Sequence, residues 1–200
     1  ISKYSKITEA VVYDSIMRSF LRISNNDNIR WGDRTVLRWE GINPFLKMFP
    51  HGKVIINYRD PRAILASYKH STYLPEPMYL DVIFSTLALF NYISSLGNVS
   101  KNVHLVKYED LIEKPVYIIK KASQFLEIDY KDEMLDVSQF KDFKGEKHDT
   151  DSSFTLQKKS IDKSSKDLWR EKLSNIEIHF TEMILKNHML SFGFDLSGIN

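Results

Sequence analysis

An arginine, a capping carboxylate and a serine stand in a spacing that can hold a phosphate. They lie in Lys53-Val-Ile-Ile-Asn-Tyr-Arg59-Asp60-Pro61-Arg-Ala-Ile-Leu-Ala-Ser67-Tyr-Lys-His70. Val54 to Ile56 is a short β-branched run of the kind that forms a buried strand. Asp60-Pro61 reads as an N-cap followed by a first-turn proline, so a helix starts where the strand ends. Free backbone N–H groups and the positive end of the helix dipole then converge beside the strand tip. Arg59 adds a guanidinium fork, and Ser67, two helical turns on, adds a hydroxyl. Together they make a site for a phosphate-bearing anion. Taken alone, the same residues also fit a plain helix start with Arg59 on the surface.

Other chemistry-bearing residues are less organised. Glu109 and Asp110 are adjacent and must diverge, so they do not form an acid–base pair; Asp110 is expected to cap the following turn. The 6 histidines are scattered without His-x-x-x-His or comparable spacing, and no metal site is expected. His70, His104 and His148 are general-base candidates by type, and nothing singles one out. The absence of cysteine excludes a thiol nucleophile, a thiolate metal site and a disulfide framework. Phe84 to Tyr92 reads as core, Tyr108 on its own fits a core aromatic at a strand end, and the lysines from Lys158 to Lys166 read as a solvated charged run.

The elements that must position these residues alternate between helix and strand. Ala10 to Ile23 has apolar positions at helical spacing, ended by Asn25 to Asn28. A short helix from Asn43-Pro44 to Met48 precedes a turn, Phe49-Pro50-His51-Gly52, into the first strand. Leu74 to Pro77 breaks the chain after the Arg59 helix. Tyr79 to Leu96 is a long, apolar helix closed by Gly97-Asn98. Val103 to Lys107 is the second strand, and Pro115 to Leu126 an amphipathic helix. Residues 141–167 are polar and lysine-rich and read as a mobile loop. Ser174-Asn-Ile-Glu177 is a capping box that opens a last helix to about Leu190.

Composition fits one globular domain: 200 residues, 42% hydrophobic and 27% charged. A formal charge of +2 gives no reason to expect a nucleic-acid partner, while a local basic patch for a nucleotide is compatible with it. No uninterrupted apolar run of membrane-spanning length and no secretory signal pattern are expected from the residues given.

Several segments, in order, resemble the sulfotransferases that use 3′-phosphoadenylyl sulfate (PAPS). Arg59-Asp-Pro-Arg-Ala-Ile-Leu-Ala-Ser67-Tyr resembles the family's 3′-phosphate-binding segment. Val103-His-Leu-Val-Lys-Tyr108-Glu-Asp-Leu-Ile-Glu-Lys-Pro115, continuing to Phe125-Leu126, is similar to its strand, Tyr-Glu-Asp-Leu turn and proline-started helix. Trp31-Gly-Asp-Arg34-Thr with Phe49-Pro50 resembles the Gly-Asp-Lys-Thr-Pro and Phe-Pro pieces. Ser164-Ser-Lys-Asp-Leu-Trp169-Arg-Glu-Lys-Leu-Ser174 is similar to the segment before the last helix.

The resemblance implies an α/β fold, a P-loop NTPase-like three-layer sandwich with a central parallel sheet flanked by helices. It implies PAPS as sulfuryl donor and PAP as product, without a metal, and an acceptor hydroxyl or amine on a carbohydrate, peptide or small molecule. It assigns Arg59 and Ser67 to the 3′-phosphate, Tyr108 to the adenine, and Ser165 and Lys166 to the zone that closes over the nucleotide. Arg34 stands where some relatives carry a lysine that assists the leaving group; an arginine can stabilise charge there but cannot donate a proton at neutral pH. Acceptor contacts are expected from Ser71 to Met78 and from residues 141–160.

The family's first strand and 5′-phosphosulfate loop have no counterpart, since no Gly-rich loop occurs before Gly32. Residues 1–200 are therefore expected to be one sulfotransferase-like domain that is N-terminally incomplete, weak in binding and inactive by itself. Alternatives are a non-catalytic nucleotide-binding or interaction protein of the same fold, or another P-loop-fold phosphotransferase such as a nucleotide kinase, which needs a Walker-type lysine loop and a magnesium-binding acid. A cytoplasmic location is expected, with the Golgi lumen as the alternative.

Overall fold

The computed structural model describes residues 7–24, 29–34, 39–69, 79–96, 101–139 and 166–198. Its centre is a parallel pair of strands, β1 (Val54–Tyr58) and β2 (Val103–Lys107), in register from Val54↔Val103 to Tyr58↔Lys107. Parallel strands need a crossover. Here helices α3 (Pro61–Lys69) and α4 (Tyr79–Leu96) lie between the two strands in sequence. The strands alternate faces. Ile56, Val54, Tyr58 and Val103 join the core built by α3, α4 and α8 (Asn175–Ser191), whereas His104 stacks on Phe125 of α6 (Pro115–Leu126) at 5.2 Å. The parallel sheet thus has helices on both faces, the arrangement expected from the sequence.

Local signals explain where the elements start. Ser174 and Glu177 form the expected capping box: the Ser174 N–H donates to Glu177 Oε2 at 2.7 Å, and the Glu177 N–H donates to Ser174 Oγ at 3.4 Å. Pro115 begins α6 at a position where a missing N–H is harmless. At Gly52, just before β1, a Cβ would lie 2.8 Å from Phe45 Cε1 and 2.9 Å from Phe49 O, so the turn accepts no side chain. Gly193 adopts φ 70° after α8 and returns the tail across the end of β2, where Lys107 Nζ donates to the Phe192 and Gly193 carbonyls at 3.2 and 2.7 Å.

Two expectations need correction. Helix α1 (Glu9–Phe20) stops before Ile23, because Arg22 takes a left-handed φ of 56°; the Asn25 to Asn28 stretch invoked as its terminator lies outside the described residues. Among the described residues no turn is capped by the Asp110 side chain. Tyr108–Glu113 is a short helix, α5, and the Asp110 backbone carbonyl receives the Lys114 N–H at 2.8 Å. Helix α4 has the length and overall composition of a membrane-spanning helix, although Asp81, Ser85 and Asn91 interrupt its apolar run. It is used as a core helix, burying Val82, Ile83, Thr86, Phe90, Tyr92 and Ile93.

A short helix, α2 (Ile42–Met48), precedes the turn into β1 as expected, and α7 (Trp169–Lys172) leads into α8. The loop read over residues 141–167 lies outside the described residues up to position 165; Lys166 to Leu168 form a turn that enters α7.

Candidate functional site

Residue 59 follows the last residue of β1, and residue 108 follows the last residue of β2. Because Tyr58 pairs with Lys107, the parallel register sets Arg59 and Tyr108 side by side at the carboxyl edge of the sheet. There the Arg59 Cζ lies 4.3 Å from the centre of the Tyr108 ring. A guanidinium against an aromatic face is favoured by the ring quadrupole and fixes the direction of the fork. Ligands of open parallel sheets bind outside this carboxyl edge.

The turn after Arg59 is fixed from two sides. The Asp60 N–H donates to Glu109 Oε1 at 2.9 Å, which ties the tip of β1 to the start of α5. Asp60 Oδ1 accepts from the Arg62 N–H at 2.8 Å, so Asp60 is the N-cap of α3 as its sequence position predicts. Helix α3 therefore begins at the strand tip with its amide end beside Arg59. Ser67 is exposed on the same helix.

The remaining expected site residues fall elsewhere. Lys166 pairs with Glu113 at the end of α5, the helix that Tyr108 begins; that partner holds the ammonium above its ordinary pKa. Arg34 is exposed on the segment after α1, and no described contact joins it to Arg59, Ser67 or Tyr108. Its neighbours serve packing: the Trp31 Nε1–H donates to Asp14 Oδ1 at 2.8 Å, and the Tyr13 O–H donates to Asp33 at 3.2 Å. Ser165 and the two expected acceptor segments lie outside the described residues, as do His70 and His148. His104 packs on α6 rather than at the sheet edge, and burial lowers its pKa.

Sequence reasoning missed the residues that brace the site. Arg62 is buried and bonds both oxygens of Asp60, at 3.0 and 2.6 Å, Glu182 Oε1 of α8 at 2.6 Å and the Asp195 carbonyl at 2.8 Å. Its guanidinium also lies 3.9 Å from the Trp169 ring centre. Burial works against the charge, but the bonds to Asp60 and Glu182 outweigh it and hold the pKa up. One signal was present in the sequence: a cation in the first turn of a helix opposes the dipole and calls for a local carboxylate. Glu109 was also set aside. It is 6% exposed, its Oε2 has no hydrogen-bond partner among the described residues, and burial pushes its carboxyl up.

The described groups at the edge are a guanidinium, the positive end of the α3 dipole and a flat aromatic ring. No curated protein matches the chain significantly. A solved structure, the sulfotransferase domain from the curacin biosynthetic pathway, matches with a TM-score of 0.65 and 18% identity, over 94% of this chain and 68% of that chain. A likeness at that identity concerns the fold. The sulfotransferase domain family matches residues 43–193, more than half of the chain, and that span holds both strands, Arg59, Ser67, Tyr108, Ser165 and Lys166 but not Arg34. By this match the chain belongs to the sulfotransferase domain family, whose chemistry is sulfuryl transfer.

Proposed function

We propose that this chain uses PAPS as its sulfuryl donor, holding the nucleotide's 3′-phosphate at Arg59, Ser67 and the amide end of α3, with an acceptor hydroxyl or amine as the other substrate. The observation that carries this reading is the Arg59–Tyr108 pair at the carboxyl edge of the parallel strands. A phosphate there meets a guanidinium held against an aromatic face at the positive end of the α3 dipole, and Tyr108 offers a face and a hydroxyl for the adenosine part.

PAPS supplies a sulfuryl group that passes in line to the acceptor oxygen or nitrogen, while the S–O bond to the 5′-phosphate breaks and the acceptor proton leaves to a base. Arg59 and Ser67 contribute remotely: binding energy at the 3′-phosphate aligns the reacting end. Ser165 and Lys166 are proposed to close over the nucleotide, Lys166 from its place beside α5. Arg34 remains a sequence-based candidate for the cation near the leaving oxygen.

Calorimetric titration with PAP, and with AMP as the control lacking a 3′-phosphate, tests the reading. Binding of PAP at least tenfold tighter than AMP supports it. Equal affinity for the two overturns the 3′-phosphate assignment.

A further inference from the structure

Arg62 is placed where electrostatics disfavours it. It lies in the first turn of α3, at the positive end of the dipole, and is only 3% exposed. Four elements hold it there. Asp60 caps the helix and takes its fork bidentately, Glu182 reaches from α8, the Asp195 carbonyl comes from the tail, and the Trp169 ring from α7 covers the guanidinium. Glu182 is engaged in turn by Ser197, whose N–H and hydroxyl donate at 2.8 and 3.0 Å. Asp60 and Glu182 are buried with Arg62, at 6% and 8% exposure.

Asp60 is also the carboxylate covalently next to Arg59. Left without a partner at the helix start it would be a ready counter-ion for Arg59, and it would repel any phosphate approaching the same amides. Both of its oxygens are instead occupied by Arg62. The helix thereby keeps a capping carboxylate without presenting a negative charge to the strand tip.

We propose that Arg62 is a positioning residue for the anion site: by engaging both oxygens of Asp60 it keeps that carboxylate from pairing with Arg59 and from repelling an incoming phosphate. The role rests on the reading of Arg59 and the α3 amides as the phosphate-binding groups. Arg62 itself touches no ligand. Trp169, Glu182 and the tail set its fork in the plane that Asp60 requires.

The test compares charge with shape, using Arg62→Gln, Arg62→Gln combined with Asp60→Asn, and Asp60→Asn alone. Asparagine caps helices as well as aspartate does, so Asp60→Asn changes the charge and keeps the turn. Binding of PAP and of inorganic pyrophosphate is titrated for each variant at low and high salt, with near-UV circular dichroism to report folding. Arg62→Gln is expected to weaken both anions at least tenfold. Adding Asp60→Asn should restore affinity to within about threefold of the starting protein. Asp60→Asn alone should change the affinity for both anions by less than about threefold, because Arg62 already occupies both oxygens of Asp60.

A folded double variant as weak as Arg62→Gln overturns the proposal, since a packing defect is not repaired by removing a charge. If Arg62→Gln does not fold, Asp60→Asn decides: binding within about threefold supports the proposal, and a gain of tenfold or more overturns it, since Arg62 then did not silence the carboxylate. Pyrophosphate binding without preference of PAP over AMP sinks the PAP reading alone, and the variants are then compared with pyrophosphate. Failure of the unmodified chain to bind either anion overturns both.

Discussion

The guanidinium carbon of Arg59 sits 4.3 Å from the centre of the Tyr108 ring, joining the tips of two strands separated by helices α3 and α4. An arginine at a strand end is otherwise free to sample many rotamers. Here the ring that follows the neighbouring strand, at the start of α5, restricts it before any ligand arrives, which lowers the ordering cost of binding.

The first prediction concerns that pair. Arg59→Ala should weaken PAP binding by one to two decades, since a charge-assisted hydrogen bond to phosphate contributes roughly 1.5–3 kcal/mol. Tyr108→Leu removes the ring and should weaken binding in the same direction, whereas Tyr108→Phe keeps it and should retain most of the affinity. Calorimetry on the three variants checks the order; a Tyr108→Leu protein that binds as well as the original would separate the ring from the site.

Ser67 is exposed on α3, so its replacement disturbs little packing. Ser67→Ala should leave thermal stability within about 0.5 kcal/mol. It should still reduce PAP affinity by roughly 0.5–1.5 kcal/mol, the contribution of one hydroxyl hydrogen bond. AMP affinity should not change, and a parallel loss for AMP would move Ser67 away from the 3′-phosphate.

Glu109 and Glu177 predict opposite pH dependences. Burial raises the Glu109 carboxyl above its ordinary 4.5, with Asp60 adding to the shift and the backbone N–H groups and Arg59 opposing it. Its folded pKa therefore exceeds its unfolded one. The stability it contributes is complete below the unfolded value and is lost as pH rises through the raised one. Burial also opposes ionisation of Glu177, but Lys69 at 2.8 Å and Ser174 outweigh it and lower its pKa, so its contribution is lost as pH falls. Urea unfolding from pH 4 to 8 should show Glu109→Gln gaining stability over the original protein on the alkaline side only. A uniform offset at every pH would place Glu109 outside this linkage.

The Lys166–Glu113 pair is half exposed, at 40% and 45% of side-chain area. Such a pair contributes about 0–1 kcal/mol to folding. Glu113→Gln should accordingly change the melting temperature little, and Lys166→Ala should lower PAP affinity while Glu113→Gln does not. Equal effects of the two on PAP would make the pair a structural tether.

Phe90 is fully buried and lies within 4.8 Å of the Phe192 ring and 6.4 Å of Tyr58. Phe90→Ala should destabilise the fold by roughly 3–5 kcal/mol. Because Tyr58 is the last residue of β1, PAP affinity should fall as well, measurable below the melting transition.

Much of the secondary structure was legible locally. The strands at Val54 and Val103, the long helix Tyr79–Leu96, the proline-started helix Pro115–Leu126 and the Ser174 capping box rest on β-branched runs, apolar periodicity and caps. These are interactions among near neighbours in sequence. The strand-to-helix turn at Arg59-Asp60-Pro61 could be read for the same reason, and with it the expectation of an anion site.

What only the tertiary structure decided is which side chains meet. The pairing of β1 with β2 carries Arg59 to Tyr108 and Asp60 to Glu109, and the packing of α8 against α3 carries Glu182 to Arg62. Arg62 shows the reason. In sequence it is one more charged residue beside a helix start, and nothing nearby marks it as buried. Its burial requires Trp169, Glu182 and the Asp195 carbonyl to converge from distant parts of the chain, and a guanidinium is removed from water only where such partners satisfy it together.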